Sequence, residues 1–124
     1  IPGIELRYPL MYHFGVRSGM LSLAEWVALC STNPAKAFGI WPQKGSLLVG
    51  ADADLVLFDP HKEFSVSADH LHEKVDYTPY EGFALTGYPV MTLLKGRKLI
   101  ENGKLVAEQP HGNFLKCGNT LIPT

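Results

Sequence analysis

Two histidines separated by one residue, His70 and His72, have the clearest potential for chemistry. Imidazole nitrogens at short spacing can bind zinc when further ligands lie nearby. The pair lies in a polar, charged run over residues 67–74, with no apolar strand leading into it. We therefore interpret both as solvated loop histidines rather than metal ligands. The other histidines, at positions 13, 61 and 111, are scattered and offer no ligand spacing.

Two acidic side chains and one thiol are weaker candidates. Asp52 and Asp54 have the Asp-x-Asp spacing of a metal–nucleotide site, but they flank a turn into an apolar run. Aspartates in such turns bond to nearby backbone amides, so we predict a structural role. Cys30 lies on the apolar side of a predicted helix without an evident histidine partner, and we expect it to pack as a small hydrophobic residue. The sequence therefore contains no predicted catalytic residue.

Asn33 is the remaining candidate. It is followed by Pro34, and Gly39 comes five residues after the proline. An asparagine at the N-cap, a proline at the first helical position and a glycine past the end together predict a short helix. The start of a helix carries free N–H groups that can bind a polar ligand.

The elements that would position these residues are helical in the first part of the chain. Ser22 and Glu25 have the spacing of a capping box, in which each side chain binds a backbone amide of the other residue. Apolar residues at helical spacing then predict that this helix buries one face, which carries Leu23, Trp26, Val27 and Cys30. Residues 5–14 are a second predicted helix, and we expect Trp26, Phe38 and Trp41 to pack in a core.

From residue 45 onwards the pattern changes to that of strands. The apolar run 55–58 predicts a strand buried on both faces, and residues 64–67 alternate as a half-buried strand does. A turn-rich connection over residues 69–88 precedes a predicted meander of strands 90–94, 97–101 and 104–107. Lys95-Gly96 forms its first corner. Asn102-Gly103 forms its second, as a type I′ turn. The last dozen residues, with Pro110 and Pro123, predict an irregular tail.

Composition narrows the possible partners. The chain has 124 residues and a formal net charge of −1, which argues against nucleic acid or an anionic membrane as the main partner. No apolar run reaches the roughly 18–20 residues of a membrane span. Cys30 and Cys117 lie far apart without CxxC spacing, so we predict free thiols in a reducing cytoplasm.

Five motifs along the chain occur in an order that resembles a known family. They are Pro-Gly-Ile-Glu at residues 2–5, Ser-Thr-Asn-Pro-Ala-Lys at 31–36, Gly-Ala-Asp-Ala-Asp-Leu-Val at 50–56, Val-Asp-Tyr-Thr-Pro-Tyr-Glu-Gly at 75–82 and Gly-Asn-Phe-Leu at 112–115. In this order they resemble the C-terminal end of cyclic amidohydrolases, closest to the D-hydantoinases and dihydropyrimidinases. The segment 78–82 also resembles allantoinases.

The resemblance implies a mixed α and β fold of which this chain is an incomplete fragment. The whole would be a (β/α)8 barrel with a small antiparallel β-sandwich built from both chain ends. Residues 1–40 would be the last helical segment of the catalytic barrel. Residues 41–124 would be the C-terminal part of the sandwich domain and a tail. The chain begins with Ile1 rather than Met, so we expect its native start to lie upstream.

The resemblance also implies a chemistry. Members of this family hydrolyse the ring amide of hydantoins or dihydropyrimidines with a binuclear metal centre, zinc or a similar divalent metal, that lowers the pKa of a bridging water. Their ligands (histidines, a carboxylated lysine and an aspartate) lie at the ends of barrel strands. None of these positions maps onto this chain, and the aspartate would fall just before Ile1. We therefore expect no metal ligand here and no activity from the chain alone.

The family also suggests a substrate contact, a partner class and two alternatives. The asparagine matching Asn33 offers main-chain groups to the ring amide of a small cyclic amide or ureide. The full-length protein is expected to be a cytoplasmic homo-oligomer, a tetramer in its relatives. The alternatives are an allantoinase-type amidohydrolase and a non-catalytic scaffold protein like the dihydropyrimidinase-related proteins. Metal ligands upstream of this chain would separate the enzymes from the scaffold.

Overall fold

A computed structural model describes residues 2–108 and 112–121 of the chain. Within these residues, helices come first and a four-stranded antiparallel sheet follows. This arrangement confirms the predicted mixture of α and β structure. The predictions made for Ile1, Pro110, His111 and Pro123 lie outside the described residues.

The first helical segment combines an α-helix, α1 (Arg7–Met11), with a π-helical turn, Tyr12–Val16. The predicted helix over residues 5–14 is therefore confirmed with a shift of two residues. Pro9 lies in the first turn, where its missing N–H leaves no helical bond unmade, and it is buried.

The second helical segment begins at the predicted capping box. Ser22 precedes α2 (Leu23–Val27). The Glu25 N–H donates to Ser22 Oγ at 3.2 Å, and the Ser22 N–H donates to Glu25 Oε2 at 2.8 Å. Hydrogen bonds from the Ser22 amide and then from its hydroxyl lower the pKa of Glu25. The capping box is confirmed.

The short helix predicted to start at Asn33 is continuous with the helical segment before it. A π-helical turn, Ala28–Thr32, joins α2 directly to α3 (Asn33–Ala37). Asn33 has helical dihedral angles, φ −67° and ψ −43°, and forms no N-cap. The prediction of a capping role for Asn33 was wrong, because a wider turn ahead of a proline lets the helix continue despite the missing N–H donor.

The sheet is a simple meander in which each strand pairs with the next one along the chain. Its strands are β1 (Leu55–Ser65), β2 (Ala84–Leu94), β3 (Arg97–Glu101) and β4 (Lys104–Leu105). The two strands predicted at 55–58 and 64–67 are one long strand. Its pairing with β2 is interrupted between Asp59 and Glu63. Pro60 lies in this interruption, where its missing N–H removes no ladder bond.

Both predicted hairpin corners are confirmed. Lys95 and Gly96 connect β2 to β3 with φ values of 50° and 77°. Asn102 and Gly103 connect β3 to β4 with φ values of 50° and 75°. Positive φ at both central residues is the property of a type I′ turn, whose twist matches that of the flanking strands.

Two small buried clusters hold the helices against the sheet. One consists of Leu6, Val66 and Leu85, and joins the start of α1 to the region where β1 and β2 pair. The other consists of Tyr12, Trp26 and Cys30, against which Phe58 of β1 packs. Because both helical segments contribute, burial of this second cluster couples the helices to each other as well as to the sheet.

One glycine is required by the second cluster. Gly87 of β2 has φ +98°, and a Cβ there would lie 2.5 Å from Tyr12 Cε1 and 2.9 Å from Phe58 Cζ. The aromatic rings therefore occupy the space that any side chain at this position would need.

Several apolar side chains predicted to be buried are exposed. Val56 and Leu57 of β1 are each 45% exposed, Leu23 is 59% exposed and Val27 is 47% exposed. Phe38 is 68% exposed, whereas Trp26 is buried as expected. The predictions of a strand buried on both faces and of core packing for Phe38 were wrong for this chain, because no element of the described residues covers these positions.

The described part of the tail, residues 112–121, contains neither helix nor strand, as predicted. The Gly118 N–H donates to the Gly39 carbonyl at 2.7 Å, and the Leu121 N–H donates to the Lys36 carbonyl at 3.0 Å. The Lys36 carbonyl also accepts the Gly39 N–H at 3.1 Å, so the tail adds a second hydrogen bond there and a first one at Gly39, just past the end of α3.

Candidate functional site

The candidate site is the helical turn that carries Asn33. The main-chain N–H of Asn33 donates to the carbonyl of Ala28, a bond that spans the π-helical turn. The free N–H groups expected at a helix start are therefore not present at this position. A π-helical turn inside an α-helix is frequently found at functional sites, so the local geometry keeps Asn33 as a candidate.

A loop packs against this turn at Gly45. The hydroxyl of Thr32 donates to the carbonyl of Gly45 at 3.0 Å. Gly45 has φ +72°, and a Cβ there would lie 2.6 Å from Ala35 Cβ and 2.9 Å from the Ser31 carbonyl oxygen. The loop backbone thus approaches the helix more closely than any residue with a side chain would allow.

A cleft of about 480 Å³ opens between this helix and the first strand. Ser31 and Thr32 line it from the helix side, and Asp54 and Phe58 line it from the strand side. Trp26 also lines it, and the indole Nε1 of Trp26 is buried without a hydrogen-bond partner within the described residues. The cleft combines an apolar wall with a few polar groups, as small-molecule sites do, although Asn33 does not line it.

The two aspartates at the start of β1 are held by a lysine. Lys44 Nζ lies 2.9 Å from Asp52 Oδ2 and also contacts Asp54. Asp54 Oδ1 accepts the N–H of Lys95 at 2.8 Å. Both aspartates bind other groups of the chain, but the predicted bonds to nearby backbone amides are absent: Asp52 binds the side chains of Lys44 and Gln43, and the amide that Asp54 accepts lies 41 residues away. The lysine that joins the two aspartates was not predicted.

The charges in this group shift each other's proton affinity. Burial alone would lower the pKa of Lys44, but its hydrogen bonds to Asp54 and Asp52 outweigh burial and raise it. The hydrogen bond from Lys44 lowers the pKa of Asp52 despite burial. Both shifts favour the charged pair at neutral pH.

The His-x-His pair is engaged in a different contact. The His72 N–H donates to Glu5 Oε2 at 2.7 Å, and His72 Nδ1 lies 2.9 Å from Glu5 Oε1. His70 is exposed on a short 3-10 turn. The interpretation of both as loop histidines is confirmed. Nothing in the sequence indicated that His72 would pair with Glu5, which lies 67 residues earlier.

The carboxylate of the next residue, Glu73, also binds the segment that contains Glu5. Glu73 Oε1 accepts the N–H groups of Gly3 at 3.0 Å, Ile4 at 2.9 Å and Glu5 at 3.4 Å. These amides lead into α1, where a negative charge is favourable. The loop and the start of the helical segment therefore exchange hydrogen bonds in both directions.

The remaining candidates have packing roles. Cys30 is 7% exposed and lies 3.6 Å from Met11 Sδ, and burial raises the pKa of its thiol, as expected for a small hydrophobic residue. Cys117 is exposed, and both cysteines are free. His13, which offers no ligand spacing in the sequence, has a structural contact: its Nδ1 accepts the Thr86 N–H at 3.0 Å.

No three side chains of the histidine, cysteine, aspartate and glutamate types come close enough to hold a metal ion within residues 2–108 and 112–121. Glu5 and His72 are bonded to each other, and Asp52 and Asp54 are both bonded to Lys44. The described residues therefore do not fit a metal centre.

Comparison with known proteins gives a consistent set of similarities. The sequence matches the model of the amidohydrolase family over residues 4–99. It is 44% identical over 115 residues to a D-hydantoinase of Ralstonia pickettii, a match that covers 93% of this chain and 25% of that protein. The chain thus spans about a quarter of the length of the curated relatives it matches.

Two solved structures share the fold. A D-hydantoinase structure matches with a TM-score of 0.83 at 43% identity, over 86% of this chain and 23% of its own. An L-hydantoinase (dihydropyrimidinase) from Arthrobacter aurescens matches with a TM-score of 0.78 at 42% identity, over 82% of this chain and 22% of its own.

Proposed function

This chain belongs to the amidohydrolase family, and from that premise we propose that it forms part of a metal-dependent enzyme that opens the ring of cyclic amides. The observation that carries the proposal is its 44% identity to a D-hydantoinase over 93% of the chain. The substrates would be hydantoins or dihydropyrimidines, hydrolysed at a ring C–N amide bond.

We propose that the chain contributes to two parts of the enzyme. Residues 1–40 would belong to the last helical segment of a (β/α)8 barrel, and residues 41–124 to a β-sandwich domain. The division agrees with the order of elements, since α3 ends at Ala37 and β1 begins at Leu55. The exposed apolar side chains of β1 and α2 support it, because they would be covered by elements of the larger protein.

The metal pair, zinc or a similar divalent metal, would be bound outside this chain. Its described residues do not fit such a centre, since no three potential ligands converge within them. We therefore propose that the ligands lie in the portion that corresponds to the other three quarters or so of the relatives' length.

We propose that Asn33 contacts the substrate ring through its main chain. Its N–H is already bonded to Ala28, which leaves the carbonyl oxygen as the available group. A carbonyl oxygen has two lone pairs and can accept a second hydrogen bond while one lone pair is engaged in a helix. The ring N–H of a cyclic amide is a suitable donor.

A D-hydantoinase and an L-hydantoinase match this chain about equally, at 43% and 42% identity. The features that distinguish the enantiomers would therefore lie elsewhere in the enzyme.

We propose a cytoplasmic homo-oligomer, with four subunits as the resemblance implies. The two free cysteines support a reducing compartment. The exposed apolar surface supports subunit or domain contacts. In the part of the chain that the structure describes, no helix has the length and apolar character needed to cross a membrane.

The test uses the full-length protein that contains this chain. It is purified, freed of metal with a chelator and reloaded with zinc, and the opening of hydantoin and dihydrouracil rings is followed by chromatography. Activity that disappears with the metal and returns with zinc is the expected result. A metal-loaded protein that opens neither ring would refute the substrate class, and ring opening by the 124-residue chain alone would refute the location of the ligands.

A further inference from the structure

The helical turn around Asn33 lies against the backbone of a single glycine. Two residues before Asn33, the Ser31 carbonyl oxygen would be 2.9 Å from a Cβ at Gly45. Two residues after Asn33, Ala35 Cβ would be 2.6 Å from the same atom. Both distances are shorter than van der Waals contact, so only a glycine fits without displacing the helix.

A hydrogen bond also joins the helix to the loop at this contact. The hydroxyl of Thr32, the residue before Asn33, donates to the Gly45 carbonyl at 3.0 Å. Three residues that surround Asn33 are therefore in contact with Gly45. A rigid contact on both sides of a residue restricts the position of its main-chain groups.

The glycine is itself held in place. The N–H of Lys44 donates to the Ile40 carbonyl at 3.0 Å. The ammonium group of Lys44 binds Asp52 at 2.9 Å and also binds Asp54. The loop from Lys44 to Asp54 is thus closed at its base, and the backbone of Gly45 provides a fixed surface for the helix.

We infer that Gly45 is a positioning residue for the main chain of Asn33, with Thr32 as its hydrogen-bonding partner. The functional part of this inference rests on the proposed role of Asn33 in substrate binding, whereas its structural part does not. If the helix moves away from the loop, the Asn33 carbonyl moves with it, and a substrate group bound there loses alignment. A misplacement of about 1 Å can reduce a rate roughly a hundredfold.

The test compares two glycines of the same loop. Gly45→Ala introduces a methyl group at the helix contact. Gly50→Ala is the matched control, because Gly50 has φ +93° and no atom within 4 Å of the place where a Cβ would lie. Both substitutions impose a left-handed conformation on alanine, so only the contact with the helix differs between them.

The first measurement is amide hydrogen exchange in the full-length protein, resolved by mass spectrometry at the peptide that contains Asn33. The rate of exchange at Asn33 should change in Gly45→Ala and remain as in the original protein in Gly50→Ala. The second is kinetics in the full-length enzyme, where Gly45→Ala should lower kcat/KM on a cyclic amide by roughly 10- to 100-fold, mainly through KM. Gly50→Ala should leave kcat/KM unchanged.

A second pair of variants covers the case in which Gly45→Ala does not fold. Thr32→Val removes the hydroxyl at constant shape, and Thr32→Ser restores it. The inference predicts a changed Asn33 amide and a raised KM in Thr32→Val, with recovery of both in Thr32→Ser. Equal behaviour of Thr32→Val and Thr32→Ser, or of Gly45→Ala and Gly50→Ala, would overturn it. A full-length protein inactive on cyclic amides would refute the proposed function, while the hydrogen-exchange comparison would still decide the structural inference.

Discussion

Replacing Gly87 by alanine is the most direct perturbation of the core that joins the helices to the sheet. The new methyl group would lie 2.5 Å from Tyr12 Cε1 and 2.9 Å from Phe58 Cζ. These rings form a continuous cluster with Trp26, with centroid separations of 5.5 Å from Tyr12 and 4.9 Å from Phe58. The rings cannot retreat without disturbing the buried indole.

The expected cost has two parts. A residue with a side chain in a left-handed conformation costs about 1–2 kcal/mol, and Gly87 has φ +98°. Overpacking of a filled core costs about 1–3 kcal/mol more. We expect Gly87→Ala to lower the free energy of unfolding by about 2–5 kcal/mol, a large share of the roughly 5–15 kcal/mol of a typical domain.

Gly82→Ala is the matched control. Gly82 has φ +79° and nothing within 4 Å of a Cβ position, so it should show only the conformational cost. Both variants are unfolded in urea at low protein concentration and followed by tryptophan fluorescence. If Gly87→Ala is no less stable than Gly82→Ala, the aromatic cluster does not pack on Gly87 as described, and the reasoning fails.

The charged groups and the exposed surface give three further predictions. Ser22→Ala should lower the free energy of unfolding, measured in urea, by about 1 kcal/mol. The destabilisation by Glu25→Gln should vanish in acid, because the pKa of Glu25 is lowered in the folded state and its contribution to stability is lost as pH falls. Lys44→Met should destabilise most between about pH 4 and pH 10. The lowered pKa of Asp52 removes the contribution of the pair at lower pH, and the raised pKa of Lys44 removes it at higher pH. In light scattering, the 124-residue chain should self-associate, and Val49→Asp should reduce this, since Val49 is fully exposed.

Each of these predictions has a contrary result. A Ser22→Ala chain as stable as the original would show that the capping box does not stabilise α2. A Lys44→Met effect that is constant from about pH 3 to pH 11 would show that ionisation of the pair is not its source. A compact monomer at high concentration would show that the exposed apolar side chains do not associate.

The features that the sequence determined are those that depend on residues close together in the chain. The capping box at Ser22 needs only the side chain three residues later, and the Asn102-Gly103 turn needs only two adjacent residues that tolerate positive φ. The order of helices and strands follows from apolar periodicity, which is also local. The family resemblance depended on short motifs, which can be recognised from residue types and their order without knowledge of any tertiary contact.

The tertiary structure decided which of these residues meet. The continuous helix through Asn33 required a π-helical turn that no local propensity indicated. Glu73 binds backbone amides about 70 residues away. Gly45 lets the loop approach the helix because it has no side chain, and this role can be recognised only when the positions of the opposing helix atoms are known. Exposure of Val56 and Leu57 likewise depends on which surfaces are covered. Local hydrogen bonds and turn preferences are encoded in adjacent residues, whereas burial and long-range bonding are properties of the whole packed chain.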